Sequence, residues 1–215
     1  SKSSGANVQQ YESNGNACQH WILEETTATG VKLDTSQVYQ FQNANSALYL
    51  EVKDASAEAG ANVQQWGANG NDCQNWTLKE FGDGYYYILS RLGDGKTYYL
   101  DVAEGKGDDG TNIQIFTNTK TSAQLFKFIP NPDGTYYIVT RASKDKGALG
   151  VAAASKEQGA NVLQWTKNGS MDQMWNITAI GAIPTPVTTT EPPVVTTEAP
   201  TETTTCLLYT SDAAD

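Results

Sequence analysis

One segment of the sequence occurs four times with constant internal spacing, and this repeat limits the possible folds more than any other feature. Each copy has an aromatic residue, a glutamine eight residues later and a second aromatic two residues after the glutamine. A pattern that recurs at fixed spacing indicates one structural unit used several times. The copies are NVQQYESNGNACQHW from Asn7, NVQQWGANGNDCQNW from Asn62, NIQIFTNTKTSAQLF from Asn112 and NVLQWTKNGSMDQMW from Asn161.

Short runs with the alternation typical of strands surround the last three copies. In the middle unit, runs rich in Tyr, Ile, Val and Phe predict strands at 85–90, 97–102, 112–116 and 126–129. Asp83-Gly84, Asp133-Gly134 and the Asn-Gly pairs at 69–70 and 168–169 tolerate the positive φ of tight turns. Three units of four strands predict an all-β protein, a β-trefoil with threefold pseudosymmetry, over residues 35–180.

The first copy of the repeat lacks an upstream half and is therefore surplus to a trefoil of three units. We expect residues 1–23 to be a half repeat that remains from a preceding trefoil, with residues 24–34 as a connector. The alternative is that this half unit forms part of the same barrel.

The composition changes after residue 180. Residues 181–205 are rich in Thr and Pro, contain no Lys or Arg and show no apolar period, so we expect a disordered, extended linker. Residues 206–215, CLLYTSDAAD, match the read-through translation of a transposon-end sequencing adapter, so we expect this stretch to be an artefact of DNA sequencing.

Charge and composition exclude several classes of function. The net charge of −10 argues against nucleic acid and anionic membranes as partners, since both require a basic surface. The single histidine argues against multi-histidine metal sites and His-based triads, and three cysteines cannot form a dense disulfide framework. We therefore expect no metal and no cofactor.

The Q-x-W signature resembles that of the ricin-B-type lectin family, which includes bacterial carbohydrate-binding modules of trefoil type. It stands here as Gln19-His20-Trp21, Gln74-Asn75-Trp76 and Gln173-Met174-Trp175, with Gln124-Leu125-Phe126 as a variant. The resemblance covers about residues 5–180. It implies that the Q-x-W aromatic packs in the barrel core and that the glutamine orients a loop by hydrogen bonding.

The resemblance also implies a sugar site in each unit. An aromatic ten residues before the Q-x-W aromatic would stack on the sugar face, and a strand aspartate, a helper glutamine and a polar residue before the Q-x-W glutamine would bind hydroxyls. No unit has the complete pattern. The candidate carbohydrate-binding residues are Glu51, Gln64 and Trp66 in the first unit, Asp101, Gln114 and Phe116 in the second, and Trp165 and Asp172 in the third.

These residues favour a non-catalytic module that binds poly- or oligosaccharide and holds a linked, secreted polysaccharide-degrading enzyme on its substrate. The Thr/Pro-rich linker resembles the spacers of secreted bacterial enzymes of this type. Catalysis by this chain is disfavoured because glycoside hydrolysis needs two carboxylates on either side of one bond, whereas these candidates lie in different repeats. The alternative is a trefoil that serves as a protein-interaction, adhesion or spacer domain.

Overall fold

We analysed a computed structural model of the protein, in which residues 31–183 and Glu12 are described. The rest of the half repeat at 1–23, residues 24–30 of the connector, residues 184–205 of the linker and the final segment 206–215 lie outside the described residues.

The described residues form twelve strands and short 3₁₀ turns, with no α-helix, which confirms the all-β prediction. The predicted strands of the middle unit are correct to within one residue at each end. Strand β7 gains Thr111 and Thr117, because they pair with Gln164 and Tyr98, and β8 gains Pro130, which pairs with Tyr136. Strand β6 begins one residue later than predicted, at Tyr98. The strands are β1 (Gln37–Asn43), β2 (Tyr49–Val52), β3 (Val63–Trp66), β4 (Trp76–Gly82), β5 (Tyr85–Ser90), β6 (Tyr98–Val102), β7 (Thr111–Thr117), β8 (Phe126–Pro130), β9 (Tyr136–Thr140), β10 (Gly147–Val151), β11 (Val162–Thr166) and β12 (Met174–Ala182).

Six of these strands close into a barrel. Antiparallel pairing runs from β1 to β4, β5, β8, β9 and β12 and returns from β12 to β1. The β1–β12 pair extends from Gln37 opposite Ala182 to Asn43 opposite Trp175, so the two ends of the domain seal the barrel. Closure leaves no exposed barrel edge for pairing with other chains.

Three hairpins, β2–β3, β6–β7 and β10–β11, cover one end of this barrel as a cap. A ring of asparagine side chains joins them across the threefold axis. Asn62 donates to Asn161 at 2.9 Å, Asn161 donates to Asn112 at 2.9 Å, and Asn112 donates to Asn62 at 3.0 Å. Each unit thus contributes the same residue to one closed network, as expected of a β-trefoil.

The core consists of residues that occupy equivalent positions in the three units. The Q-x-W aromatics Trp76, Phe126 and Trp175 are fully buried, which confirms their predicted structural role. The two tryptophans also donate from Nε1 to the carbonyls of Leu50 (3.2 Å) and Leu149 (3.0 Å). These bonds tie the core to the strands that carry the candidate sugar-binding positions.

Buried and exposed tryptophans provide a matched test of this core. We expect Trp175→Ala to lower the free energy of unfolding by about 3–5 kcal/mol, because it opens a large cavity. It also leaves the Leu149 carbonyl without its indole donor. Urea denaturation of the full chain at neutral pH measures the loss. Trp165→Ala is the control, since Trp165 is 45% exposed and its loss should change stability by less than about 0.5 kcal/mol. Equal losses in the two variants would contradict the assignment.

Candidate functional site

In each unit a cap hairpin contacts the 3₁₀ turn of the Q-x-W motif, and the surface between the hairpin and the loop before that motif is here called the groove of the unit. At the end of β3, Trp66 is 40% exposed, and Trp165 on β11 is 45% exposed. Phe116 on β7 is half-buried. A flat, accessible ring in such a groove can contact the apolar C–H face of a sugar.

Each groove loop is held by the glutamine of its Q-x-W motif, as the resemblance implied. The buried Gln74 accepts from the backbone N–H of Asn69 at 3.2 Å and donates to the Gly67 carbonyl at 2.7 Å. Gln124 bonds the backbone of Thr119 and Thr117, at 2.9 and 2.8 Å, and Gln173 bonds that of Asn168 and Thr166, at 3.0 Å each. One side chain therefore fixes the conformation of each loop.

In the first unit the structure brings Glu51, Gln64 and Trp66 together. The pairing of β2 with β3 places Glu51 opposite Gln64, and Trp66 lies two residues further along the same face. Glu51 is buried and accepts from Gln64 at 3.1 Å, from Asn69 at 2.6 Å and from Gln74 at 2.8 Å. Three amides therefore satisfy most of the acceptor capacity of this carboxylate.

In the second unit Asp101, Gln114 and Phe116 also share one groove. Asp101 lies opposite Gln114 and accepts from its amide at 3.0 Å. Burial raises the pKa of the Asp101 carboxyl from its ordinary value of 3.8, and the amides of Gln114 and Gln124 act in the opposite direction. A buried carboxylate with fewer protein donors has lone pairs left for ligand hydroxyls.

In the third unit Trp165 and Asp172 line a pocket of about 310 Å³. The strand position that carries a carboxylate in the other units is Gly150, and Leu163 stands where they have the helper glutamine. Asn168, Ser170 and Gln173 supply further polar groups to the wall of this pocket. The pocket thus combines an exposed ring, one carboxylate and several hydrogen-bonding groups.

A loop from the neighbouring unit supports each of the two tryptophans. A Cβ on Gly159 would lie 3.4 Å from the Trp66 ring, and one on Gly110 would lie 3.6 Å from the Trp165 ring. Both glycines have positive φ, so their place beneath the rings suits glycine in conformation as well as in size. Each of these two grooves is therefore completed by residues of a second unit.

Sequence reasoning missed two kinds of groove residue. The sequence indicates Asn69 only as a turn residue, yet its side chain makes the shortest hydrogen bond to Glu51. Its recurrence at Asn168 was the available signal. Two residues of neighbouring units were also missed: Gln158, which accepts from Gly67 N–H at 3.1 Å, and Asp109, which accepts from the Thr166 hydroxyl at 2.8 Å. These contacts between units have no signature in the spacing of one repeat.

Metal ligands, membrane-spanning helices and reactive thiols are further features that could give residues 31–183 a function. They contain no group of three or more His, Cys, Asp and Glu side chains that could hold a metal ion. No helix among them is long and apolar enough to cross a membrane. Cys73 is a buried free thiol whose pKa is raised, chiefly by burial and also by the nearby Glu51 carboxylate, so it is a poor nucleophile.

Solved structures similar to this chain include a designed protein and an enzyme. The designed threefold-symmetric protein ThreeFoil is 34% identical with a TM-score of 0.63, and the match covers 66% of this chain and 99% of ThreeFoil. An exo-β-1,3-galactanase from Clostridium thermocellum is 31% identical with a TM-score of 0.63, and the match covers 67% of this chain and 30% of the enzyme.

A sequence relative and a family model match as well. The alpha subunit of clotting factor G from Tachypleus tridentatus is 36% identical over 69 residues, which are 31% of this chain and only 10% of that much longer protein. The model of the ricin-type β-trefoil lectin domain-like family, whose domains bind carbohydrate without catalysis, matches residues 30–116, 94–165 and 122–185. The chain therefore belongs to the ricin-type β-trefoil lectin domain-like family.

Proposed function

We propose that the domain binds carbohydrate at the three grooves. The observation that carries this proposal is the pairing of an aromatic ring with a carboxylate in every unit, most clearly at Trp165 with Asp172, which line one pocket. The other pairs are Trp66 with Glu51 and Phe116 with Asp101. The ring matches the apolar face of a sugar, and the carboxylate and amides match its hydroxyls. Shallow grooves of this kind bind weakly one at a time and gain strength when several engage one glycan.

We further propose that the module holds a linked, secreted enzyme on its polysaccharide. Two observations support this role. The chain is similar to part of an exo-β-1,3-galactanase, and a Thr/Pro-rich segment follows the trefoil. A polysaccharide with many repeated sugars would engage several grooves and raise the local concentration of substrate. A β-1,3-galactan is accordingly the first ligand to test.

Loss of the stacking rings should weaken glycan binding without unfolding the domain. We expect Trp66→Ala, Phe116→Ala and Trp165→Ala each to reduce affinity for the best glycan, with about tenfold loss at the affected groove, or about 1.4 kcal/mol. The triple variant should abolish detectable binding. A glycan array that includes β-1,3-galactan identifies the ligand, and isothermal titration calorimetry measures the affinities.

The exposed Phe81 provides the control for these variants, because it is 48% exposed and lies on β4, outside the grooves. Phe81→Ala should leave affinity unchanged. An array without signal for the intact chain would refute the proposal and favour a protein-binding trefoil. Binding that persists in the triple variant would refute the three grooves as the binding sites. Hydrolysis of the bound glycan by the isolated chain would refute the non-catalytic role.

The second groove should lose affinity in acid. Because burial raises the pKa of Asp101 above its ordinary value of 3.8, the carboxylate takes up its proton at a higher pH than usual and ceases to be a charged acceptor.

The free energy of unfolding should increase over the pH range in which affinity falls. A folded-state pKa above the unfolded one means that the folded protein binds this proton more tightly, so lowering the pH through that pKa stabilises the fold.

A variant with only the second groove intact, Trp66→Ala/Trp165→Ala, isolates this effect. Calorimetric titrations from pH 7 to about pH 4 should show falling affinity in this variant. The matched Asp101→Asn control should bind weakly throughout. The difference in unfolding free energy between the intact chain and the Asp101→Asn variant, followed over the same pH range, measures the stability effect. Affinity that stays constant over this range would contradict the role of Asp101.

A further inference from the structure

We propose that Asp172 is the acceptor for sugar hydroxyls in the third groove, where it takes the place of the strand carboxylate of the other two grooves. Gly150, which stands at that strand position, leaves the space that the Asp172 side chain needs. This inference rests on the proposed carbohydrate binding and adds which residue determines recognition in this groove. It concerns two facing positions: the middle residue of the L-x-V triplet on β2, β6 or β10, and the residue before the Q-x-W glutamine.

The two positions hold one carboxylate in every unit. The pair is Glu51 and Cys73 in the first unit, Asp101 and Ala123 in the second, and Gly150 and Asp172 in the third. The second and third units are thus reciprocal: the aspartate is on the strand in one and on the 3₁₀ turn in the other.

Contacts in two units show that these positions are neighbours. A Cβ on Gly150 would lie 3.3 Å from Oδ2 of Asp172 and 3.0 Å from Cγ of Gln173. In the first unit the Asn69 amide lies 2.6 Å from Oε2 of Glu51 and 3.5 Å from Sγ of Cys73. Both positions therefore face the same small volume.

Crowding and charge, not backbone conformation, disfavour an aspartate at position 150. Gly150 lies within β10 and has no positive φ, so its backbone suits any residue. A side chain there would displace Asp172 or Gln173, and a second carboxylate beside the first would add repulsion between like charges. Either position can hold the carboxylate, but the two cannot hold one each at low cost.

The relocated carboxylate is more accessible than its counterparts. Asp172 is half-buried, whereas Glu51 and Asp101 are 5% and 4% exposed. Its carboxylate accepts from the Ser170 hydroxyl, and the helper glutamine of the other grooves is replaced by Leu163. The carboxylate and Trp165 both line the 310 Å³ pocket. Asp172 therefore keeps acceptor capacity for the hydroxyls of a ligand that stacks on this ring.

A stability experiment tests the exchange without any ligand. In the full chain, Gly150→Asp should lower the midpoint of urea unfolding, and Gly150→Asp/Asp172→Ala should recover most of the loss, because it recreates the arrangement of Asp101 with Ala123. The single variant Asp172→Ala completes the double-mutant cycle, so that the loss in the double variant can be compared with the sum of the two single losses. Additive effects of the two substitutions would show that the positions do not share one space and would overturn the exchange.

A binding experiment tests the role of Asp172 as acceptor. The background is Trp66→Ala/Phe116→Ala, in which only the third groove keeps its ring, and the probe is the glycan that the intact chain binds best. Asp172→Asn, which keeps the shape and removes the charge, should weaken binding at least tenfold. Gly150→Asp/Asp172→Ala should bind within about threefold of the background protein, since it returns a carboxylate to the groove. Unchanged affinity of Asp172→Asn would overturn the assignment.

The two experiments separate this inference from the proposed function. If the intact chain binds no glycan, carbohydrate binding fails, while the unfolding cycle still decides whether the two positions exchange one carboxylate. If the intact chain binds glycan but Asp172→Asn leaves the affinity of the third groove unchanged, carbohydrate binding stands and the assignment of Asp172 is wrong.

Discussion

The hydrogen bonds of the Q-x-W glutamine are the constraint on which each groove depends. Gln74, Gln124 and Gln173 are buried, and each bonds one backbone N–H and one carbonyl of its groove loop. Without them, two backbone groups of a loop with little regular structure would lose their partners, which typically costs about 1–3 kcal/mol for each buried group. The aromatic two residues later anchors the same segment in the core, so one motif joins the stability of the barrel to the shape of the site.

The grooves also depend on threefold assembly. The asparagine ring at the axis joins the three cap hairpins, and loops of neighbouring units lie against the rings of Trp66 and Trp165. A single unit could form neither the closed barrel nor a complete groove. Closure needs strand pairs between units, namely β4 with β5, β8 with β9 and β12 with β1. Pairing between units therefore favours repeats of nearly equal length, and the copies at Asn62, Asn112 and Asn161 begin 50 and 49 residues apart.

Much of the fold could be predicted because its determinants are local and occur three times. Alternating apolar residues and the Asp-Gly and Asn-Gly turns located the strands of the middle unit, and Trp76 and Trp175 were correctly assigned to the core. The grouping of Glu51 with Gln64 followed from the same repetition. What could not be predicted were contacts between units, such as Gln158 with Gly67, since no pattern within one repeat encodes them. The family resemblance placed the positions of Gly150 and Asp172 in one site. The close contact between them could not be predicted, because they lie on different elements and meet only in three dimensions.

Differences among the grooves follow from how each carboxylate is compensated. Glu51 is buried and accepts hydrogen bonds from three amides, which offset most of the free energy lost when its charge leaves water. Little acceptor capacity therefore remains for a ligand. Asp101 is equally buried with less compensation, which is why its pKa is raised and why it destabilises the fold at neutral pH while remaining available to a ligand. Asp172 avoids much of this cost by lying closer to solvent. The three units thus differ in how much stability each carboxylate costs and in how available that carboxylate is to a ligand. Three grooves of unequal affinity on one barrel suit a ligand that presents several sugars at once.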